Sequence, residues 1–286
     1  MNNLKTGILL IALSALLVYL GHLFGGQQGA TFAFGLALLM NAGAYWFSDR
    51  LVLRMYRAQE VSEAEAPELF GIVAELAQRA SLPMPKVYVI PGETPNAFAT
   101  GRNPKHAAVA VTQGITRILS RDELRGVLAH ELSHVRHRDT LISCVAATLV
   151  GAITFLARMA QFGAMFGGRS SDDEGNNPFG VLVVAIFAGL AAVLLQLALS
   201  RSREFEADAA AARLLGEGEP LARALEKLER GAQIAPMDAS PATAHMFIVS
   251  PLAGGRGAAG LFTKLLRTHP LTEERIARLR DRSWAT

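Results

Sequence analysis

The residues of this sequence best suited to chemistry are His130, Glu131 and His134, which form the pattern HExxH. On an α-helix, positions i and i+4 lie on the same face, so both imidazoles can point at one metal ion. Glu131 is rotated by about 100° from His130 and can border that ion without occupying a histidine's position. Two imidazoles beside a carboxylate that can act as a general base are typical of a zinc hydrolase. The alternative is a solvated helix that carries two histidines by chance.

The helix that must carry this pattern has a clear beginning. Ser120 is placed to be its N-cap, and Glu123 follows three residues later, which is the spacing of a capping box. A stripe of apolar residues predicts a buried face, and its members are Leu124, Val127, Leu128 and Leu132. This context favours a zinc site over a chance pattern. We expect the helix to continue through Asp139 into an apolar segment, because no helix breaker follows.

The composition of the chain points to a membrane. Of its 286 residues, 51% are hydrophobic, which is more than is usual for a soluble enzyme. Four apolar runs are close to the roughly 20 residues that span a bilayer; they are 6–24, 30–48, 141–166 and 179–199. We predict two transmembrane hairpins, 1–49 and 140–200. Arg158 lies within the third run, so a second hairpin that lies in the membrane interface stays open as an alternative.

The charge pattern orients these hairpins. Lysine and arginine residues that flank the apolar runs lie on the same side as the HExxH segment. The positive-inside rule therefore places both termini and that segment in the cytoplasm. The net charge of +3 is scattered along the chain, so nucleic acid is not an expected partner. The single cysteine, Cys144, excludes an intrachain disulfide and fits a reducing compartment.

A strand-rich stretch precedes the HExxH helix. After a basic connector at Leu51–Glu60 and a helix from Pro67 to about Ala80, three segments have strand character; they are Lys86–Ile90, Asn96–Thr100 and Ala107–Thr112. An extended peptide can add itself to the edge of such a sheet through backbone hydrogen bonds. A plain structural hairpin is the alternative, and the residues alone support both equally.

A catalytic zinc site needs a third protein ligand. Candidates predicted on the cytoplasmic side are Glu204, Glu206, Asp208, His137 and His269. His137 stands about 10 Å along the helix from His130, so we predict that it is not a ligand. Glu204 and Asp208 share a helix face, whereas Glu206 is about 200° from Glu204, so only one of these faces can meet the metal. We place the longer Glu204 at the metal, because it is nearer the fourth apolar run, and Asp208 behind a ligand histidine.

The remaining C-terminal stretch carries weaker signals. A break at Gly216–Pro220 precedes a helix at Leu221–Arg230. Residues 231–260 show no clear periodicity of apolar residues, and we predict a long loop or lid there. Thr272 is predicted to cap a last, basic helix.

Three motifs in fixed order carry a family resemblance: HExxH, Glu204-Phe-Glu-Ala-Asp208, and Thr268-His-Pro-Leu-Thr-Glu-Glu-Arg-Ile276. With Pro95–Pro104, they resemble the HtpX family of membrane zinc endopeptidases, of which the CAAX prenyl proteases are more distant relatives. The resemblance implies one zinc ion per chain, the ligands His130, His134 and Glu204, and Glu131 as the base. It also implies that His269 lies near the active site, and it supports a substrate strand formed by Asn96, Ala97, Phe98 and Ala99.

These features predict a mainly α membrane protein with four transmembrane helices in two hairpins and a cytoplasmic zincin-like α+β domain with a small β-sheet. The catalytic domain would combine 50–139 with 201–286. The resemblance implies an inner-membrane endopeptidase that cuts misfolded or surplus membrane proteins in stress-linked quality control. Its partners would be unfolded polypeptides and the lipid bilayer, and a homo-oligomer is one option for its assembly.

Three rival functions fit the residues less well. An intramembrane protease would place HExxH inside an apolar span, but charged residues such as Arg125 and Arg136 surround the motif. A transporter would need ionisable residues within several spans, where only Arg158 and the marginal His22 occur. An inactive assembly factor with a structural zinc ion would have no use for Glu131.

Overall fold

The computed structural model describes residues 2–145, 201–234, 247–248 and 270–285. Apart from 140–145, the predicted second hairpin (140–200) lies outside these residues, and so does His269.

The chain begins with a long helical segment, α1 (Asn2–Met55), that is interrupted at Gly26, where φ is 57° and ψ is −145°. The two arms fold back on each other, since Asn41 Nδ2 donates to Ser14 Oγ at 2.7 Å across the pair. They approach so closely that a Cβ on Gly21 would lie 2.5 Å from the carbonyl oxygen of Gly29. The structure therefore has the predicted N-terminal hairpin, but its second arm starts earlier than residue 30 and runs past residue 48 to Met55.

Within the described part of the chain, Gly25–Met55 is the one helix long and apolar enough to cross a membrane. Its surface is apolar as well as its sequence, because Phe32 and Leu39 are about three-quarters exposed. Exposed large apolar side chains on one helical hairpin are consistent with contact to lipid.

A four-stranded mixed sheet follows, in the order β1-β2-β4-β3. Its strands are β1 (Gln59–Glu60), β2 (Lys86–Ile90), β3 (Ala97–Thr100) and β4 (Ala108–Thr112). β2 and β4 are parallel, and β3 is antiparallel to β4 at one edge. The three predicted strands are confirmed to within one residue. β1 was not predicted, because two residues within the Leu51–Glu60 connector are too few to show an alternating pattern.

Both faces of the sheet are buried. One face packs against α2 (Pro67–Arg79) and α4 (Arg121–His137) through a core that includes Val109, Leu76 and Leu128. The other face packs against the end of α1, where Val52 and Leu53 meet Phe98. The short helix α3 (Gln113–Ile118) links β4 to α4. As a result, α4 lies directly against the sheet.

The start of α4 is as predicted, and its end is not. The backbone N–H of Ser120 donates to Glu123 Oε2 at 2.7 Å, which confirms the capping box. The helix stops at His137, because Arg138 takes a left-handed conformation with φ 59° and ψ 33°. A new helical stretch then covers 139–145. The expectation that α4 continues through Asp139 was wrong, because Arg138 interrupts the helix. Beyond this turn, Thr140 Oγ1 donates to the carbonyl of Gly101 and Asp139 contacts Arg203, which are contacts between distant segments that the sequence does not signal.

Three helices follow in the C-terminal half of the chain: α5 (Arg201–Leu215), α6 (Glu219–Ile234) and α7 (Thr272–Arg280). α5 and α6 pack against α4, and α7 packs against α6 and α5. Gly126 lets α6 approach closely, since a Cβ at this position would lie 2.7 Å from the backbone nitrogen of Leu221. α6 extends beyond the predicted Leu221–Arg230, so residues 231–234, assigned to a loop, are helical. The prediction that Thr272 caps α7 was also wrong: Leu271 is the N-cap, and Thr272 is the first helical residue.

Candidate metal centre

His130 and His134 lie one turn apart on α4, as their spacing predicts. Their Nε2 atoms are 3.2 Å apart, and the two rings are nearly perpendicular, at 88°. His130 is buried, and His134 is half-buried. The two imidazoles therefore present a pair of nitrogens to one point at the end of α4.

Glu204 reaches the same point from α5. Its Oε2 is 3.8 Å from His130 Nε2, and its Oε1 is 3.6 Å from His134 Nε2. Ligand atoms around a tetrahedral zinc ion are separated by about 3.4 Å, because Zn–N and Zn–O bonds are about 2.0–2.2 Å. The separations of this trio and its two-nitrogen, one-carboxylate chemistry fit zinc. Small residues on the buried face of α5, including Ala207 and Ala211, let this helix lie close to α4.

Two other candidates for the third ligand face away from this point. Glu206 and His137 are both exposed. Among the described histidine, cysteine and acidic residues, the group that can hold a metal ion is His130, His134 and Glu204.

Glu131 is buried beside the two histidines and is held by the sheet. Its Oε2 accepts a hydrogen bond from the backbone N–H of Ala99 at 2.9 Å. Burial raises the pKa of Glu131 above its ordinary value, although the neighbouring His130 and His134 act in the opposite direction. A carboxylate with a raised pKa is suited to exchanging a proton near neutral pH.

The open edge of β3 faces this site. The Asn96 carbonyl accepts from Thr112 N, and pairing alternates along an antiparallel strand, so the backbone groups of Ala97 and Ala99 point away from β4. Ala99 N–H is the group that binds Glu131. Asn96 is 2% exposed, and its side-chain nitrogen and oxygen have no hydrogen-bond partner among the described residues. Within the predicted substrate strand, Ala97 and Ala99 belong to the core on the side of α2 and α4, whereas Phe98 belongs to the core on the side of α1.

Each histidine has a carboxylate behind it. Asp208 Oδ1 lies 2.9 Å from His130 Nδ1, and Asp139 Oδ2 lies 3.2 Å from His134 Nδ1. A carboxylate that accepts the Nδ1 proton leaves Nε2 free to bind a metal. The sequence pointed to Asp208 and missed Asp139, because on a continuous helix Asp139 would not face His134. The left-handed turn at Arg138 brings it there.

The electrostatics of these groups follow from their partners. Burial alone would lower the pKa of His134, but the hydrogen bond to Asp139 and the charge of Glu204 raise it to about 9. Burial alone would raise the pKa of Asp208, but the charge and hydrogen bonds of Arg275 lower it to about 2.

Two arginines that the sequence did not single out complete the site. Arg275, from α7, is 1% exposed and contacts Asp208, and Arg203 Nη1 lies 3.4 Å from Asp139 Oδ1. Among the described residues, the buried ionisable groups around the histidines are these two arginines and four carboxylates, namely Glu131, Asp139, Glu204 and Asp208. The carboxylates exceed the guanidiniums by two charges, which a divalent cation would neutralise.

Comparison with known proteins agrees with this geometry. A family model described as peptidase family M48 matches residues 63–283. A curated "Protease HtpX homolog" of Syntrophobacter fumaroxidans is 57% identical over 284 residues, which cover 98% of this chain and 99% of the relative. A protein of the same name from Thermodesulfovibrio yellowstonii is 57% identical over 280 residues, with 98% of each chain covered. The resemblance to the HtpX family is thus confirmed.

Among solved structures, the crystal structure of S. mikatae Ste24p matches with a TM-score of 0.53 at 21% sequence identity. The match covers 97% of this chain and 65% of that one. At this identity the likeness shows a shared fold.

Proposed function

The chain belongs to peptidase family M48 and is a membrane-bound zinc metalloprotease, and on that premise we propose which residues carry out the reaction. His130, His134 and Glu204 hold the zinc ion, and Glu131 is the general base. The observation that carries this assignment is the convergence of the three ligand atoms, all within 4.8 Å of one another, beside a buried glutamate. A structural zinc site would be closed by a fourth protein ligand, whereas this trio leaves one position open.

In peptide hydrolysis, each of these residues has a distinct role. When bound, zinc polarises the scissile carbonyl and acidifies the attacking water. Glu131 accepts the proton of that water at a carboxylate oxygen and passes it to the leaving amine. The backbone N–H of Ala99 donates to Oε2 of Glu131 and so holds this carboxylate in place. The other carboxylate oxygen is left to accept the proton. His130 and His134 keep their Nε2 atoms toward the zinc position through Asp208 and Asp139.

The substrate lies along the open edge of β3. Ala97 offers an outward N–H and C=O, and Ala99 offers an outward C=O, so an extended peptide can pair with the strand whatever its side chains are. Asn96 supports this assignment, because its buried and unpartnered amide at the start of the strand can bind a substrate backbone group. Backbone pairing of this kind suits a protease for unfolded polypeptides.

His269 is proposed as a second donor to the oxyanion, as the family resemblance implies. It lies outside the described residues. Support comes from its neighbours in sequence, because Pro270 is buried and α7, which begins at Thr272, delivers Arg275 to the site.

The membrane arrangement remains part of the proposal. We place hairpins 1–49 and 140–200 in the inner membrane and assemble a cytoplasmic zincin-like catalytic domain from 50–139 and 201–286. The exposed apolar surface of α1 supports the first hairpin. The physiological role proposed is removal of misfolded or surplus membrane proteins under stress, by a single chain or a homo-oligomer. A cysteine at Gln27, in a chain without Cys144, should react with an impermeant thiol reagent from outside the cell, and protection would contradict this orientation.

A direct test of the reaction uses detergent-purified protein and casein. Cleavage should stop with a zinc chelator and return with zinc. Glu131→Gln should retain zinc and fold yet lose cleavage, because it keeps the shape and loses the proton acceptor. Glu206→Ala, on the exposed face of α5, is the matched control. Full cleavage by Glu131→Gln would contradict its role as base.

A further inference from the structure

Arg275 is the largest fully buried side chain among the described residues, and it is 1% exposed. It comes from α7, whereas the proposed zinc ligands come from α4 and α5. Burying a guanidinium is costly unless each of its donors is satisfied. A residue of this kind therefore needs a reason beyond filling space.

All three nitrogens of this guanidinium have partners. Arg275 Nε donates to Asp208 Oδ2 at 2.8 Å, and Nη2 donates to Asp208 Oδ1 at 2.7 Å. Nη1 donates to the carbonyl of Ile248 at 2.8 Å, which anchors the far side of the group. Two parallel bonds to one carboxylate fix both its position and its plane.

The fixed carboxylate acts in turn on the metal position. Asp208 Oδ1, which accepts from Arg275, also lies 2.9 Å from His130 Nδ1. With its Nδ1 proton directed at Asp208, the ring of His130 has one orientation, and its Nε2 faces His134 and Glu204. The other histidine has a looser chain of the same kind, with Arg203 at 3.4 Å from Asp139 and Asp139 at 3.2 Å from His134.

We propose that Arg275 is a positioning residue of the zinc site, which acts through Asp208 to hold His130 and makes α7 part of the metal centre. The inference rests on the proposed ligand set. One consequence is that the site is complete only when α7 has docked, because no residue of α4 or α5 replaces this fork.

Two opposing effects decide whether loss of Arg275 weakens or strengthens zinc binding. Arg275 Nη1 is 3.9 Å from Glu204 Oε2, so its charge repels a cation at the site. Arg275 Nη2 also lies 3.5 Å from His130 Nδ1, so the guanidinium borders the ring as well as the carboxylate that holds it. Four buried carboxylates remain to attract the cation. Loss of a group that orients a ligand histidine costs about 10–100-fold in metal affinity. We therefore expect the loss of orientation to outweigh the relief of repulsion.

The test compares Arg275→Gln with Arg280→Gln, a matched control on the same helix. Arg280 is half-exposed and docks α7 to α6 through Glu219 and Glu226, away from the histidines. Zinc affinity is measured by chelator competition on the full-length protein, and cobalt(II) absorption reports the ligand geometry. Arg275→Gln should bind zinc about 10–100-fold more weakly with an altered cobalt spectrum. Arg280→Gln should match the wild type in both measurements. Equal zinc affinity in the two variants would overturn the proposal.

Arg275→Lys separates orientation from charge. Lysine keeps the positive charge but cannot form the two-bond fork, so it should behave like Arg275→Gln. Wild-type affinity in Arg275→Lys would mean that charge alone matters and would refute the positioning role.

A double variant guards against simple misfolding. Asp208→Asn with Arg275→Met removes both charges of the buried pair, which is tolerated far better than removing one. Its zinc affinity should equal that of Asp208→Asn alone within about threefold, since Arg275 acts through Asp208. A further tenfold loss would contradict the proposal. If His130→Ala and Glu204→Ala kept their zinc, the ligand set itself would be wrong, which is a separate outcome.

Discussion

Zinc binding should release a proton from His134, and Asp139 should control how much is released. With a pKa of about 9, His134 in the zinc-free protein is about 99% protonated at pH 7. Zinc needs the neutral imidazole, so binding must displace that proton. The variant Asp139→Asn removes the hydrogen bond that contributes most to raising this pKa, whereas the charges of Glu204 and Glu131, which also raise it, remain. The pKa of His134 should therefore fall, and a histidine that returned to the ordinary value of about 6.5 would be about 24% protonated at pH 7. The variant should therefore release fewer protons per zinc ion, by about 0.75 of a proton if the pKa of His134 returns to its ordinary value.

Calorimetric titration with zinc at pH 7 in buffers of different ionisation enthalpy measures this number directly. Ionisation of water at the bound metal adds the same amount to both proteins, so it cancels in the difference. Glu131, whose pKa is also raised, is a second proton source, and the pair should therefore be repeated in the Glu131→Gln background. Equal proton release by wild type and Asp139→Asn would refute the assignment of the Asp139–His134 contact.

The stability of the zinc-free protein and its affinity for zinc should change with pH in opposite directions. Because the folded-state pKa of His134 is raised, its protonated form stabilises the zinc-free protein fully below about pH 6.5, and this stabilisation is lost as the pH rises through about 9. Zinc affinity, in contrast, should rise with pH over the same window.

Two further mutational tests address the ligand and the substrate strand. Glu204→Ala should lose most bound zinc and all activity, whereas Glu206→Ala should keep nearly wild-type zinc content and activity. Metal analysis that showed the reverse would overturn the ligand assignment. Ala97→Pro removes an outward N–H of β3 and should impair turnover of casein more than zinc content, whereas Phe98→Pro breaks the pairing with β4 and should reduce both. An equal loss of zinc and turnover in Ala97→Pro would point to misfolding rather than to a substrate strand.

Features set by local periodicity were predictable from the residues alone. The i, i+4 spacing put His130 and His134 on one face, and the Ser120–Glu123 pattern identified the start of their helix. The same reasoning separated the buried face of α5, with Glu204, from the exposed Glu206. The strands β2, β3 and β4 were recognised from their β-branched and small apolar residues. Each of these rests on interactions within a few residues of sequence.

Other features arise only when distant segments pack. The sequence by itself determined the candidate metal-binding pair, the candidate base and the apolar hairpin, because each depends on the spacing of residues that are near neighbours in the chain. The tertiary structure decided that Asp139 backs His134, through a left-handed turn at Arg138, and that Arg275 reaches Asp208 from another helix. A buried charge is stable only beside a partner, and partners that lie far apart in the chain meet only in the folded protein.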